Sequence, residues 1–233
     1  HMKKIQIPSE FAYFAGIIIL AFSVAMITCT NFGVSMIVAP AYLISQKTGF
    51  LTFGQSEYIV QGILFIVFCI LMGKVKPVYF SAFITGLIYG AFLDFWRLVI
   101  PHFNPAVTAP GSLPFELKVV YFIAGVLLTA LSIALLFRTY LYPQVYDFFV
   151  KGVSEKYRLN RNKFKIGFDV SCLIVSCIMT LIMFGTFVGI GVGTIIMTCV
   201  NGLLIGWFGA MLDRVCIFVP AAKKFSTYFN ISN

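Results

Sequence analysis

The sequence predicts an all-α membrane protein: six transmembrane helices arranged as a 3+3 inverted repeat, each half carrying a short broken helix at the membrane interface. Three observations predict it. Of 233 residues, 60% are hydrophobic and only 11% charged, where a soluble domain would carry about 25% charged residues. Six apolar stretches each reach the roughly 20 residues that cross a bilayer. Polar, Gly- and Pro-broken segments recur at corresponding places in the two halves, the pattern that marks the binding region of a transporter. The alternation expected of a membrane barrel is absent.

The spans are read at about 11–30, 53–73, 78–100, 118–138, 164–185 and 188–218. His1-Met2 reads as the scar of a cleaved expression tag, and 11–30 reads as a span, since it lacks a small-residue cleavage site. Between the first two spans lies NFGVSMIVAPAYLISQKTGFLTFGQSEYIVQ (31–61), too polar to cross a membrane. Pro40 suits the opening of a short helix over about 40–48, which Gly49 ends. Gly54 then opens a helix carrying Glu57 and Gln61. Pro143 and Gly152 repeat the spacing of Pro40 and Gly49, giving a second short helix over about 143–151. Gly167 opens the next helix, which carries Asp169.

Other matches keep the same order. Gly16 and Ser23 correspond to Gly125 and Ser132, and Gly86-Leu-Ile-Tyr-Gly90 corresponds to Gly202-Leu-Leu-Ile-Gly206. Each half holds three spans, so the second copy runs through the membrane upside down. The organisation expected is a first repeat over 1–100, a Pro-rich external linker over 101–117, a second repeat over 118–220 with a basic cytoplasmic loop over 151–165, and a cytoplasmic tail over 221–233.

Charge sets the orientation. With a cytoplasmic N-terminus, fourteen of the seventeen Lys and Arg fall inside, among them Lys3, Lys4, Lys74, Lys76 and the cluster from Lys151 to Lys165. Lys47, Arg97 and Lys118 remain outside. The positive-inside bias predicts a multi-pass protein of a plasma membrane with both termini cytoplasmic. It accounts for the +9 net charge without nucleic acid. The basic loop reads as solvated, with a lipid-headgroup site the sharper alternative.

The six cysteines all stand in apolar stretches, form no CxxC pair and have no nearby His, so they read as small packing residues. His102 stands alone. With no Ser-His-Asp set, HExxH or Walker motif, the chain is expected to be neither an enzyme nor a holder of a metal or cofactor. Gly189, Gly191 and Gly193 form GxGxG without the preceding strand that a dinucleotide site needs, so close helix packing is the reading there.

Asn31-Phe-Gly33-Val-Ser35, Pro40-Ala-Tyr-Leu-Ile-Ser45, Thr52-Phe-Gly54, Lys165-Ile-Gly-Phe-Asp169 and Gly193-Thr194 resemble the YczE-like bacterial integral membrane proteins, distantly similar to the YitT group. That resemblance implies a bacterial plasma (inner) membrane and brings no substrate. The family's usual Arg-Glu before the Gly-Thr is replaced here by Gly191-Val192.

Acidic residues inside spans are costly and by default functional. Glu57 and Asp169 are the expected pair facing a central cleft, with Gln61, Asn201, Ser35, Tyr42, Thr194 and Thr198 completing a substrate-binding set. The bland reading of the pair is two carboxylates near helix starts, favoured by the dipole and reached by water. Asp94 with Arg97, and Asp213 with Arg214, read as interfacial ion pairs or gate latches. The function expected is a small secondary transporter for a cationic or neutral organic solute, coupled to H⁺ or Na⁺, working by alternating access. The alternatives are a substrate-binding subunit of an energy-coupling-factor vitamin importer, with ATPase and coupling subunits as partners, or a non-transporting accessory protein docking through 151–165. Lipids and a small molecule are the expected partners, and a homo-oligomer stays open.

Overall fold

A computed structural model describes residues 4–229; His1, Met2 and Lys3, on which the tag reading and part of the charge count rest, lie outside the described residues. Six helices are long and apolar enough to cross a membrane, which makes this a multi-pass membrane protein. They are α1 (Ser9–Thr30), α3 (Phe53–Met72), α4 (Phe80–Val99, entered by a 3₁₀ turn at Pro77–Tyr79), α5 (Phe115–Leu136), α7 (Arg161–Phe184) and α8 (Val192–Val215). Two short helices interrupt them, α2 (Ala39–Thr48) and α6 (Val145–Lys156). A parallel ribbon of β1 (Ile5–Pro8) and β2 (Cys216–Val219), paired from Ile5–Cys216 to Pro8–Val219, sets the start and end of the membrane region side by side. One turn of helix, α9 (Lys223–Ser226), follows.

Local chemistry explains most boundaries. α1 ends at Asn31, which takes the left-handed conformation that an Asn tolerates. Thr52 and Gln55 form a capping box at the start of α3: Gln55 N donates to Thr52 Oγ1 at 3.0 Å and Thr52 N to Gln55 Oε1 at 3.0 Å. Asn160 caps α7 by accepting from Lys163 N at 3.1 Å. Gly73 and Gly185 end α3 and α7 in left-handed conformations.

Four expectations change. Gly152 does not end the second short helix; α6 runs on to Lys156 because the missing Cβ admits the Phe68 ring. α7 opens at Arg161, where Asn160 can cap it, and Gly167 lies within it. The basic 151–165 segment is therefore mostly the end of α6 and the start of α7. The last span starts at Val192 and stops at Val215, where Cys216-Ile-Phe-Val219 leaves the helix to pair with β1.

α1 is the centre of the assembly, with 67% of its apolar window buried against 11% for α7 and for α8. It packs on α4 and α5, while α5 packs on α1 and α8. α2 lies on α3 and α7, and α6 lies on α7 and α3. Particular atoms follow the same reciprocity. A Cβ on Gly16 would lie 3.3 Å from the Ser132 carbonyl, and one on Gly125 would lie 3.2 Å from the Ser23 carbonyl. Small residues at such a crossing let backbones approach where lipid offers no hydrophobic drive. Lys47, in the last turn of α2, donates to Met183 O at 2.6 Å; Lys156, ending α6, donates to Leu71 O at 2.8 Å. Each accepting carbonyl stands two residues before its helix's terminal glycine.

One contact has no counterpart. α3 packs tightly on α4, but among the described residues no comparable packing joins α7 and α8. Gly54 and Gly90 meet so closely that a Cβ on Gly54 would collide with the Gly90 carbonyl and with Asp94. Among the described residues nothing stands within 4 Å of a Cβ built on Gly167. Gly54→Ala should therefore cost about 1–3 kcal/mol, the range for overpacking, whereas Gly167→Ala should be neutral or stabilise by up to about 1 kcal/mol. Paired melting curves of the two variants in detergent check this, and equal melting temperatures would contradict the contact.

Candidate functional site

The space between α7 and α8 is a cavity of about 510 Å³. α1 contributes Leu20 and Val24 to its wall, the segment after α1 contributes Ser35, and α4 contributes Tyr89. From the second half come Gln144, Tyr146 and Asp147 near the start of α6, Lys165 and Asp169 on α7, and Met197, Thr198 and Asn201 on α8.

The charged centre of this wall is a lysine held between two carboxylates. Lys165 Nζ lies 3.1 Å from Asp169 Oδ1, one helical turn on, and 3.3 Å from Asp147 Oδ1 on α6. All three side chains are between a fifth and a third exposed. Two carboxylates against one ammonium leave the wall one negative charge in excess. Asn201 adds an acceptor: its Oδ1 is buried without a hydrogen-bond partner among the described residues. Leaving such an atom unpaired costs about 1–3 kcal/mol, so a donor arriving there recovers that cost. Thr198 spends its hydroxyl on its own helix, donating to Thr194 O at 2.8 Å.

Glu57 and Gln61 stand behind this wall instead of on it. Glu57 is fully buried, and its Oε2 accepts from Tyr146 Oη at 2.7 Å and from Gln61 Nε2 at 3.2 Å. Gln61 Nε2 also donates to Gln144 Oε1 at 2.8 Å, and Gln61 Oε1 accepts from Val145 N at 3.4 Å. Tyr146 thus has one side toward the cavity and the other on the buried Glu57 carboxyl, and Gln144 reaches from the cavity to the buried Gln61 amide. No ion pair involves Glu57 among the described residues. Sequence position does match the two acids: Glu57 and Asp169 each precede the terminal glycine of their helix, Gly73 and Gly185, by 16 residues. Asp169, nine residues into α7, is too deep for the helix-start explanation.

The remaining expected residues have other roles. Tyr42 is buried, edge-on to Phe53. Thr194 is a clamp: its Oγ1 donates to Val34 O at 2.7 Å and accepts from Gly191 N at 3.2 Å. With Val34 N donating to Gly189 O at 2.8 Å and Gly193 N to Phe32 O at 2.7 Å, it pins the Asn31–Ser35 segment to the start of α8. Gly33, at φ +114°, fits there because a Cβ would meet Thr194 Oγ1 at 2.5 Å.

Neither expected latch forms as drawn. Asp94 caps α3, accepting from Thr52 Oγ1 at 2.5 Å and Gly54 N at 2.9 Å. Arg97 instead lies over the Phe53 ring at 5.3 Å. Asp213 pairs with Arg138, not Arg214, through two 2.7 Å bonds. The helix positions put Arg138 across from Asp213, and adjacent residues on a helix do not face each other.

A second cavity of about 420 Å³ adjoins the first on the side where Tyr140, Glu10 and Ala221 meet. It shares Leu136, Phe137, Pro143, Asp147 and Lys165 with the first and adds Lys151 and Arg161. The Lys165–Asp147 pair stands in the wall common to both. Tyr140 lines this outer space and donates to Glu10 Oε1 at 2.6 Å. Its burial, and then that bond, push the hydroxyl up to about 12, so it remains a donor at physiological pH. Sequence reading missed Lys165, Asp147, Gln144 and Tyr146 as site residues. The available signal was Lys165 followed four residues later by Asp169 in an apolar helix.

A family model described as a family of unknown function, DUF6198, matches residues 7–210. That description names neither the YczE-like nor the YitT group. No curated protein and no solved structure matches the chain.

Replacing Lys165 with Met leaves Asp147 and Asp169 facing each other without a cation. The expected loss is about 1–3 kcal/mol, between the 0–1 of exposed pairs and the 3–5 of buried ones. Arg138→Met, beside a largely exposed Asp213, should lose less than Lys165→Met. Chemical or thermal unfolding of both variants checks the order, and adding Asp169→Asn to Lys165→Met should restore part of the loss.

Proposed function

The chain belongs to DUF6198, a family of unknown function that assigns it no activity, and from its geometry we propose a small secondary transporter for a cationic or neutral organic solute. The observation that carries the reading is the central cavity, with one excess negative charge and the unpaired Asn201 Oδ1. A wall of acceptors suits a solute rich in N–H or O–H donors. About 510 Å³ falls within the 300–1,000 Å³ usual for small-molecule sites.

The duplicated plan supports alternating access. The reciprocal Gly16–Ser132 and Gly125–Ser23 contacts, and the reciprocal Lys47–Met183 and Lys156–Leu71 bonds, are what two copies related by an axis in the membrane plane would make. In this proposal 1–100 and 118–220 are the repeats, joined by an external linker over 101–117. The termini and the outer cavity face the cytoplasm, as the basic residues at that end favour. Resemblance to the YczE-like group supports a bacterial inner membrane. Glu57, whose Oε2 accepts from a hydroxyl and an amide while its Oε1 has no partner among the described residues, touches the cavity wall through Tyr146 and is the proposed site of proton coupling. Asp169 is the proposed solute ligand.

Uptake into proteoliposomes, over a panel of amines and neutral polar solutes with and without H⁺ and Na⁺ gradients, tests the reading. Absence of gradient-dependent flux across the panel would sink it. Where flux is found, Asp169→Asn should raise the half-saturating concentration about tenfold or more, the loss of one charge-assisted hydrogen bond. Glu57→Gln should instead weaken the response to the pH gradient.

A further inference from the structure

The two halves carry the same glycines in different states. Gly54, Gly86 and Gly90 hold α3 against α4: a Cβ on Gly86 would collide with Gln61, and one on Gly90 with the Tyr58 ring. On α8 the matching glycines are Gly202 and Gly206, and near the start of α7 Gly167 stands 18 residues before Gly185 where Gly54 stands 19 before Gly73; around each of these three an added Cβ would meet nothing within 4 Å among the described residues. Glycine in the interior of an exposed helix costs about 1 kcal/mol relative to alanine. Three such glycines facing open space gain nothing from that cost in the arrangement observed.

Polar atoms show the same asymmetry. On α4, Thr85 stands one residue before Gly86, and its hydroxyl donates across to Tyr142 O at 2.9 Å, just ahead of α6. On α8, Asn201 stands one residue before Gly202 and leaves its Oδ1 without a partner among the described residues. The cavity occupies the gap between α7 and α8, whereas α3 and α4 are closed on each other.

From this we infer that α7 and α8 are the moving jaw of the cavity. In a second state Gly167, Gly202 and Gly206 bring these helices together as Gly54, Gly86 and Gly90 now join α3 and α4. The inference deepens the proposed transport and rests on the duplication that supports it. Closure narrows the cavity from the side that carries Asp169 and Asn201, so these two clamp the solute and Asn201 Oδ1 acquires its donor from it. By the same exchange the α3–α4 contact loosens when α7 and α8 close, which exposes Glu57 and Gln61 on the opposite side of the cavity.

The jaw is tested by cross-linking, with no solute needed. In protein whose six cysteines are replaced by Ala or Ser, the pair Gly167→Cys with Gly206→Cys is oxidised by copper-phenanthroline in proteoliposomes. A control pair, Ser23→Cys with Thr129→Cys, takes two side chains whose oxygens already lie 2.8 Å apart and reports that oxidation works. The expected result is an intramolecular disulfide in both. Adding Gly202→Leu to the test pair should cut its disulfide yield about tenfold by obstructing approach, with the melting temperature held, because the space around Gly202 is open. No intramolecular disulfide in the test pair while the control forms would overturn the inference. So would cross-links only between molecules, which would make this face a contact between copies, or a yield indifferent to Gly202→Leu. Disulfide without any solute flux would keep the jaw and remove the transporter; flux without the disulfide would do the reverse.

Discussion

Everything in this molecule hangs on the close crossing of α1 and α5. In a bilayer, helices gain nothing from hiding apolar surface, because the lipid is as apolar as they are. Association must come from close contact and from interhelical hydrogen bonds. Gly16 and Gly125 supply the first by letting each backbone reach the carbonyl of the partner's serine, and the bond between Ser23 and Thr129 supplies the second. With that pair fixed, α4 rests on α1 and α8 on α5. The short helices α2 and α6 are left to reach across to α7 and α3, where Lys47 and Lys156 satisfy carbonyls that a helix end would otherwise leave unpaired.

The two carboxylates within spans stand in two different surroundings. Glu57 and Asp169 are equally distant from their terminal glycines, yet one is sealed and the other faces open space. The difference lies in their neighbours. Around Glu57 the α3–α4 contact is shut, and Tyr146 with the Gln61–Gln144 pair fills the space that remains. Around Asp169 the helices stand apart, so the charge is met by Lys165 from its own helix and by the cavity. A carboxylate in a half-open site needs a mobile cation; one in a closed site needs fixed dipoles. Each acid has the companion its surroundings require.

The spans were legible in the sequence because hydropathy over some twenty residues is a strong signal, and all six lie where they were read to within a few residues except at the ends of the last. Short polar helices were harder. Gly49 ends α2 as expected, but Gly152, at the matching spacing, is a packing glycine against Phe68 within α6. A glycine's sequence position cannot tell a cap from a close approach, since both exploit the same missing Cβ. Asp169 and Asn201, which line the cavity, stood out in the sequence because polar groups deep in a span are costly enough to need a reason. The partners of Asp213 and Asp94 were not, because adjacency in sequence suggested Arg214 and Arg97, while geometry gave Asp213 to Arg138 and set Asp94 on the start of α3.

Lys165 was concealed for a different reason. In sequence it closes a run of basic residues, and the positive-inside bias explains such a run without further function. Asn160 moves the start of α7 back to Arg161, which carries Lys165 more than a turn into the helix and brings it beside Asp147. A cation there does two things that a surface lysine cannot. It neutralises one of the two carboxylates that the cavity would otherwise hold bare, and it stands in the wall between the inner space and the outer one. A solute ammonium that bound Asp169 would compete for the oxygen that Lys165 now holds. The solute and the partition would then be coupled through a single ion pair, with no separate latch required.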